Sequence, residues 1–357
     1  MAAETRVGII GCGTILGAYI RHTKPYPFLR VTRLADLDVD RAKAAAAKFE
    51  VSEAGSVEEL LGDDSISVVV NLTIPAAHAE VSLAALEAGK HVYSEKPLAT
   101  DLTEGRAILD AAERHGLRVG CAPDTFLGGG GQTCRALIDQ GAIGEPVGAL
   151  AFFLNRGMET WHPNPGFFYQ RGAGPMMDVG VYYVTALVNL LGPVRRVSGS
   201  ARVSFPEREI TSEPLRGQRI RVETPTHIAG TLDFEQGAIG TIVASNDVCA
   251  SEVPRIEVFG AEGTISVPDP NRFDGPVRLF RRSTGAWEDV PHTHPSDVGR
   301  GMGLADMVQA LAEDRPHRCS GEMAFHVLET MLAVEASSER GMHNELASRC
   351  AQPAALE

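Results

Sequence analysis

No stretch of this 357-residue chain holds the roughly 20 consecutive apolar residues that a membrane-crossing helix needs, although 44% of its residues are hydrophobic. A membrane partner is therefore not expected, and a large buried core is. Paired cysteines are missing as well. Cys12, Cys121, Cys134, Cys249, Cys319 and Cys350 are scattered without any C-x-x-C spacing, so neither a zinc site nor a disulfide framework is expected. Positive charge is scarce: 33 Lys and Arg stand against 46 Asp and Glu, for a net charge of −13. That balance argues against nucleic acid or an anionic membrane surface as partner. His292 and His294 are one residue apart but lack the further ligands that a metal site requires, and no metal is expected. Internal repeats and low-complexity tracts are absent, and residues 1–6 lack the basic-then-apolar pattern of a secretory signal. The expected location is the cytoplasm, with the thiols reduced.

What is present starts with a glycine turn. The apolar run Val7-Gly8-Ile9-Ile10 meets Gly11-Cys12-Gly13-Thr14-Ile15-Leu16-Gly17, after which a helix-like pattern follows. This is the strand–turn–helix entrance of a dinucleotide-binding fold. Gly11 lets the chain turn out of the strand. Cys12 occupies a position where a small residue is needed. Gly13 has no Cβ, so a pyrophosphate can approach the backbone there. The N–H groups that follow, through Thr14 and Ile15, open a helix whose N-terminus favours anions. The third glycine of the fingerprint would fall at Leu16, whereas Gly17 comes one position later, which implies a different approach of helix to strand. A tight turn with no ligand shares this pattern. The next strand, residues 28–35, ends at Asp36, where a carboxylate can grip a ribose diol and repel a 2′-phosphate. NAD is therefore expected rather than NADP, the alternative being an exposed loop acid.

The length suits two domains. Up to residue 122 strands and helices alternate: a helix over 41–49, a capping box at Ser56 and Glu59, a buried strand over 66–71, a helix over 78–88 stopped by Gly89, a strand over 91–94, a helix over 103–115 ended by Gly116, and a strand over 117–121. This rhythm predicts a doubly wound parallel sheet of the Rossmann type. From residue 123 onward, alternating segments over 147–155, 194–205, 219–234, 238–245 and 255–259 predict a large, mostly antiparallel open sheet. Helices are predicted over 132–140, 178–191, 303–313 and 322–338. The expected class is α/β, with domains at 1–122 and 123–357. Gly128 to Gly131 read as a mobile or close-approach loop near the junction.

Several clusters could carry chemistry. Thr73, Ile74, Pro75 and His78 follow the buried strand at the end where such sheets bind ligands; Pro75 also suits the first turn of a helix, and His78 could simply pack there. Glu95-Lys96-Pro97 follows the next strand, where a lysine ammonium can hydrogen-bond a substrate hydroxyl and favour its alkoxide. Asp124 lies past another strand and could bind substrate hydroxyls or cap a turn. Asp178 and Tyr182 are four apart on a helix face. They suit proton handling, or else a helix-terminal charge and a core aromatic. Trp161 offers an apolar wall to the C–H face of a sugar, and neighbouring His162 is either a proton-moving group or an exposed loop histidine.

In this order, Gly11-Cys12-Gly13, Asp36, the Thr73–Pro75–His78 run, Glu95-Lys96-Pro97 and the segment 172–182 resemble the Gfo/Idh/MocA family, the relatives of glucose–fructose oxidoreductase and inositol dehydrogenase. The resemblance covers nearly the whole chain. It implies NAD(P)-dependent oxidation or reduction of a sugar, cyclitol or related polyol, and a C-terminal sheet that faces the active site and often an oligomer partner. A homo-oligomer, dimer or tetramer, is accordingly expected. Lys96 matches the family's catalytic lysine, and Asp178 matches the acid of its Asp-x-x-x-His pattern. Tyr182 stands where that pattern has histidine. A free phenol titrates near pKa ~10, so Tyr182 either needs a nearby cation to act as base or only hydrogen-bonds substrate. The resemblance also admits a redox-neutral sugar lyase or glycosidase that uses NAD transiently, and a non-catalytic NAD-sensing protein.

Overall fold

The structure, a computed structural model, describes residues 4–356. Residues 1–3, part of the segment in which no secretory pattern is found, and Glu357 lie outside the described residues. The chain forms two compact units. One takes in the chain up to Leu127 together with Asp297–Phe325, and the other takes in Gly128–Ser296 together with the chain from His326 on.

In the first unit β1 (Thr5–Ile10), α1 (Leu16–Thr23), β2 (Leu29–Ala35), α2 (Val39–Phe49), β3 (Glu53–Gly55), α3 (Val57–Leu61), β4 (Val68–Asn71), α4 (His78–Glu87), β5 (His91–Ser94), α5 (Leu102–His115) and β6 (Val119–Cys121) alternate as the sequence rhythm predicts. The sheet runs β3-β2-β1-β4-β5-β6, all pairs parallel. Parallel strands are buried on both faces, and β4 shows why its valine run suits the centre. Val68, Val69 and Val70 are fully buried, each contributing roughly 1.5–3 kcal/mol of apolar burial. Local signals set the helix ends. Ser56 and Glu59 form the reciprocal capping box of α3, and α5 stops at Gly116 in the left-handed conformation. The helix Met302–Glu313 packs against β6 within this unit.

The second unit holds α6 (Gly129–Asp139), β7 (Pro146–Leu154), α7 (Val181–Leu191), β8 (Val194–Arg202), β9 (Glu207–Glu209), β10 (Arg219–Arg221), β11 (His227–Phe234), β12 (Ile239–Ser245), β13 (Ile256–Gly260), β14 (Gly263–Val267), β15 (Val277–Arg281), β16 (Ala286–Val290) and β17 (Asn344–Glu345). With Met302–Glu313 as α8, the chain's last helix is α9 (Gly321–Arg340), which starts in the first unit and ends in the second. Nine strands form one sheet in the order β16-β15-β14-β13-β7-β12-β11-β8-β17. Only the β7–β12 pair is parallel among them. Period-two burial marks a covered and an open face: Ile228, Leu232 and Phe234 of β11 are buried, while Ala229, Thr231 and Asp233 between them are half exposed. At one margin β16 is exposed and bears the ion pairs Arg278–Asp289 and Arg281–Glu288. At the other, β17 covers only two residues of β8, and the N–H groups of Gly199 and Ala201 donate to Ser337 Oγ and Ser338 Oγ at 3.1 and 2.8 Å.

Several segments differ from the sequence reading, among them residues 263–290, where β14, β15 and β16 extend the sheet past the last expected strand. The glycine run at 128–131 is no mobile loop: Gly129, Gly130 and Gly131 open α6, and Gly128 to Gly130 are buried while Gly131 is half exposed. A Cβ on Gly130 would meet the Pro268 ring at 2.8 Å, so close packing explains the glycines. The strand expected over 219–234 is broken into β10 and β11 around Pro225, which has no N–H to give to a ladder, and β10 pairs with β9 in a separate two-stranded sheet. The helix expected over 178–191 begins as a π-helical turn, Met176–Gly180, before α7 proper. Among the described residues no helix is long and apolar enough to cross a membrane.

Candidate active site

Because the first sheet is parallel, its carboxyl ends share one edge. There lie Gly11–Gly13 after β1, Asp36 after β2, Thr73–Pro75 after β4 and Glu95-Lys96 after β5, and β2, β1, β4 and β5 are consecutive neighbours. The strand order reverses between β1 and β4, which is where open α/β sheets bind ligands. Gly11 has φ +102°, and a Cβ there would sit 2.6 Å from the Leu72 carbonyl carbon and 2.9 Å from Thr73 N. Only glycine fits this crossing of the β1 and β4 ends. Gly13 is the opposite case, with nothing within 4 Å of its missing Cβ. This open approach leads to the exposed Thr14 and half-exposed Ile15 before α1, a helix whose cap residue Ile15 offers no side-chain hydrogen bond. The turn therefore fits a pyrophosphate. Leu16, in place of the third glycine, is buried in the core, and Gly17 instead lets α1 approach the Phe49 ring of α2, 3.2 Å from its missing Cβ.

Asp36 is 8% exposed and rigidly held. Its Oδ2 accepts the Cys12 N–H at 2.8 Å, and its Oδ1 accepts the Asp38 N–H at 3.0 Å and Arg41 Nη1 at 3.4 Å. The acid and the glycine turn are thus one construction. Burial, with the charge of Asp36 adding to it, pushes the Cys12 thiol up to about 11, so the thiol is protonated and unreactive at neutral pH.

Ile74 is 70% exposed at the sheet edge. Asn71 shapes the turn beneath it: Oδ1 accepts from Thr73 N and Oγ1 at 3.2 and 2.7 Å, while Nδ2 donates to the His78 carbonyl and Ser82 Oγ. Pro75 opens the short 3₁₀ turn Pro75–Ala77 that precedes α4. His78 is 1% exposed, with Nδ1 2.7 Å from the Pro97 carbonyl and Nε2 3.0 Å from the Thr73 carbonyl. Burial, the largest influence, holds its pKa below the usual histidine range. The ring is thus buried between the Pro97 and Thr73 carbonyls, donating to one of them when neutral, and offers neither nitrogen to a cofactor, contrary to the direct contact that its place in the run suggests.

Glu95 is buried. Its Oε1 accepts the Tyr19 hydroxyl at 2.9 Å and its Oε2 accepts the Lys96 N–H at 3.0 Å. Lys96, half buried, precedes a cis Pro97. Asp124 is fully buried, and its Oδ2 accepts the N–H groups of Gly301 and Gly303 at 2.8 and 3.1 Å, so it caps the start of α8. Burial raises its pKa. The cap is made for α8, not for the turn that follows Asp124 as the sequence suggests, and the buried side chain does not serve direct hydroxyl binding.

In the second unit Asp178 lies in the π-helical turn, half buried, and Tyr182 is buried in the first turn of α7. Such π turns recur at functional sites. Trp161 is 58% exposed, its ring edge-on to His162 at 5.3 Å. His162 packs edge-on against Phe167 and Phe168, and its Nδ1 accepts the Asn164 N–H at 3.0 Å. It is a member of an aromatic cluster rather than an isolated loop residue.

Residues 5–122 match the model described as oxidoreductase family, NAD-binding Rossmann fold, and residues 132–266 match the GFO/IDH/MocA C-terminal domain. The dTDP-3,4-didehydro-2,6-dideoxy-alpha-D-glucose 3-reductase of Actinomadura kijaniata is 33% identical, over 88% of this chain and 97% of its own length. The chain belongs to the Gfo/Idh/MocA oxidoreductase family. Inositol 2-dehydrogenase 3 of Saccharopolyspora erythraea, another relative, is 30% identical over 75% of this chain and 74% of its own. An NAD binding oxidoreductase from Klebsiella pneumoniae shares the fold at TM-score 0.85, 24% identity and coverage of 97% and 100%. The first unit of this Gfo/Idh/MocA member thus carries an NAD-binding Rossmann domain.

Two groups escaped the sequence reading. Tyr19 reads only as a helix aromatic, with no spacing that ties it to Glu95. The second group lies behind the aromatic cluster. Arg208 donates to Glu159 Oε1 at 2.7 Å and pairs with Asp247, while Tyr169 donates its hydroxyl to Glu159. All three charged side chains are under 9% exposed. Arg208 sits between Glu207 and Glu209 in a stretch that looks like a solvated charge run, so no local pattern marks it as buried. Among the described residues no group of three or more His, Cys, Asp or Glu could hold a metal ion.

Proposed function

We propose that the chain is an NAD-preferring dehydrogenase that exchanges hydride with a carbinol or carbonyl carbon of a sugar, cyclitol or related polyol. The observation that carries this reading is the assembly of the glycine turn, Asp36, the Thr73 turn and Lys96 on one edge of the parallel sheet. The related sequences support the substrate class, since one is named for reduction of a nucleotide-linked keto-sugar and another for inositol oxidation. The unit that takes in the chain up to Leu127 and Asp297–Phe325 serves as the cofactor domain, and the unit of Gly128–Ser296 with the chain from His326 on serves as the substrate and oligomerisation domain of a cytoplasmic homo-oligomer.

In this reading Gly11, Cys12, Gly13, Thr14 and Ile15 present backbone N–H groups to the pyrophosphate. Asp36 accepts from the ribose diol, and its fixed, buried charge disfavours a 2′-phosphate. Thr73, Ile74 and Pro75 line the cofactor, and His78 and Glu95 hold the turns that do so. The nicotinamide, when bound, takes up or returns the hydride. Lys96 hydrogen-bonds the substrate hydroxyl, its amine taking the hydroxyl proton as hydride leaves the carbon and returning it in the reverse direction. Asp178 and Tyr182 orient the hydroxyl, Tyr182 as a neutral phenol. Trp161 gives the C–H face of the ring an apolar wall, and His162 backs it.

A panel of aldohexoses, inositols and anhydrosugars with NAD, followed by the absorbance of reduced cofactor, tests the reading. Stoichiometric reduced cofactor with at least one of them is expected, together with a K96A variant that keeps NADH affinity and loses about 10²–10⁴-fold in turnover. Sugar cleavage without net reduction would move the chain to redox-neutral lyase chemistry. Tight NADH binding with no turnover of any panel member would make it a sensor.

A further inference from the structure

Tyr19 belongs neither to the glycine turn nor to the Lys96 turn, yet it connects them. It lies on α1, which opens directly from Gly11–Gly13, and its side chain is 1% exposed. Its hydroxyl donates to Glu95 Oε1 at 2.9 Å, and the other oxygen of the same carboxylate accepts the Lys96 N–H at 3.0 Å. Glu95 is fixed from its main chain too. Its N–H donates to the Asn71 carbonyl at 2.9 Å, and its own carbonyl accepts Ser94 Oγ at 3.0 Å. The Tyr19 ring stacks edge-on against Tyr93 at 6.5 Å, so its direction is set by packing. Burial first, and the Glu95 charge second, keep this phenol well above its ordinary pKa, so it remains a donor at every working pH.

We propose that Tyr19 is a positioning residue for Lys96: through the two oxygens of Glu95, it ties the helix facing the pyrophosphate to the main chain of the lysine that works at the other end of the dinucleotide. The inference rests on the role given to Lys96 above. A buried carboxylate needs its donors. Without the phenol, Oε1 loses a 2.9 Å donor and the carboxylate is free to turn, which changes what Oε2 offers to Lys96 N–H.

The chain has five lysines, Lys24, Lys43, Lys48, Lys90 and Lys96. Reductive ¹³C-methylation of the full chain therefore gives a small set of methyl resonances, in which a K96R variant identifies that of Lys96. Y19F keeps the ring and its packing and removes only the hydroxyl. In Y19F the Lys96 resonance is expected to shift, and saturating NADH to move it less than in the parent protein. The Lys24, Lys43 and Lys48 resonances and the NADH dissociation constant should stay in place. E95Q, of equal size but unable to accept from both donors, should displace the same resonance. An unmoved Lys96 signal in either folded variant overturns the proposal. So does displacement of all five lysine signals together with loss of NADH binding, which would reduce Tyr19 to a packing residue of α1. A sugar panel without turnover removes the assigned role of Lys96 but leaves these resonances readable, so the two failures are distinct.

Discussion

Alanine at Gly13 and alanine at Gly11 should have opposite consequences, although the residues are two apart in one turn. Gly13 has no atom within 4 Å of its missing Cβ. A methyl group there meets no protein, and the lower entropy of the unfolded chain makes the change neutral or stabilising by about 0.4–1 kcal/mol. The same methyl group fills the approach to the helix N-terminus. If it costs the pyrophosphate one charge-assisted hydrogen bond, about 1.5–3 kcal/mol is lost, which is about 10- to 150-fold in Kd. Gly11 is held at φ +102°, with backbone atoms of Leu72 2.6 and 2.7 Å from the Cβ position. A left-handed residue costs roughly 1–2 kcal/mol and overpacking about 1–3 kcal/mol. G11A should therefore lose about 2–5 kcal/mol out of the ~5–15 kcal/mol typical of a domain. Urea unfolding midpoints read the first quantity, and NADH fluorescence titration the second. A folded G13A that binds NADH as the parent protein does would refute the assignment of this turn to the pyrophosphate. A G13A as destabilised as G11A would refute the geometry.

Three further outcomes are expected. D36A removes the charge that disfavours a 2′-phosphate while leaving Arg41 beside the site. The NAD-to-NADP ratio of kcat/KM should fall about tenfold or more, each tenfold being about 1.4 kcal/mol, and an unchanged ratio would remove Asp36 from cofactor choice. R208Q strands the buried Glu159 and Asp247 carboxylates, for a cost of about 3–5 kcal/mol that urea unfolding would show; a loss below about 1 kcal/mol would mean that the three charges do not act as a buried network. His326 accepts the Val194 N–H on Nε2 at 2.9 Å, and burial lowers its pKa to about 4. Its folded pKa lies below the unfolded value of ~6.5, so its contribution is complete above that value and is lost as pH falls through about 4. H326Q does not titrate and should show a shallower loss of stability across that window, checked by unfolding midpoints at its two ends.

The residues that line the carboxyl edge of the parallel sheet were legible because their placement depends on short-range rules. Gly11, Gly13 and Asp36 follow strands whose apolar runs are visible, and β5 falls on the predicted residues 91–94. Capping at Ser56 and the stop at Gly116 are set by chemistry within a few residues, as read. What escaped depends on distance along the chain. Tyr19 and Glu95 are 76 positions apart and Arg208 and Asp247 are 39 apart, and neither pair leaves a periodic trace. The glycines at 129–131 misled because a helix containing them runs against propensity, and the neighbours packed on Gly129 and Gly130 are what justify two of them. Strands β14, β15 and β16 are only five residues long: β14 and β15 alternate over too few positions to stand out from a loop, and β16 is exposed throughout almost its whole length. Asp124 was ambiguous for another reason: an acid beside a strand end serves a ligand or a cap equally well until its partners, Gly301 and Gly303, are known.

The margins of the nine-stranded sheet bear on whether further chains can add to it edge to edge. An open rim of unpaired amides is a template on which another chain can add a strand, and repetition of that event builds fibres. Here two serine hydroxyls from α9 plug outward amides of β8, and charged side chains crowd the opposite rim at β16. Sideways recruitment would have to strip those serines and bury those charges. Removing both hydroxyls, in a chain otherwise untouched, should raise the tendency to form fibres above that of the parent protein.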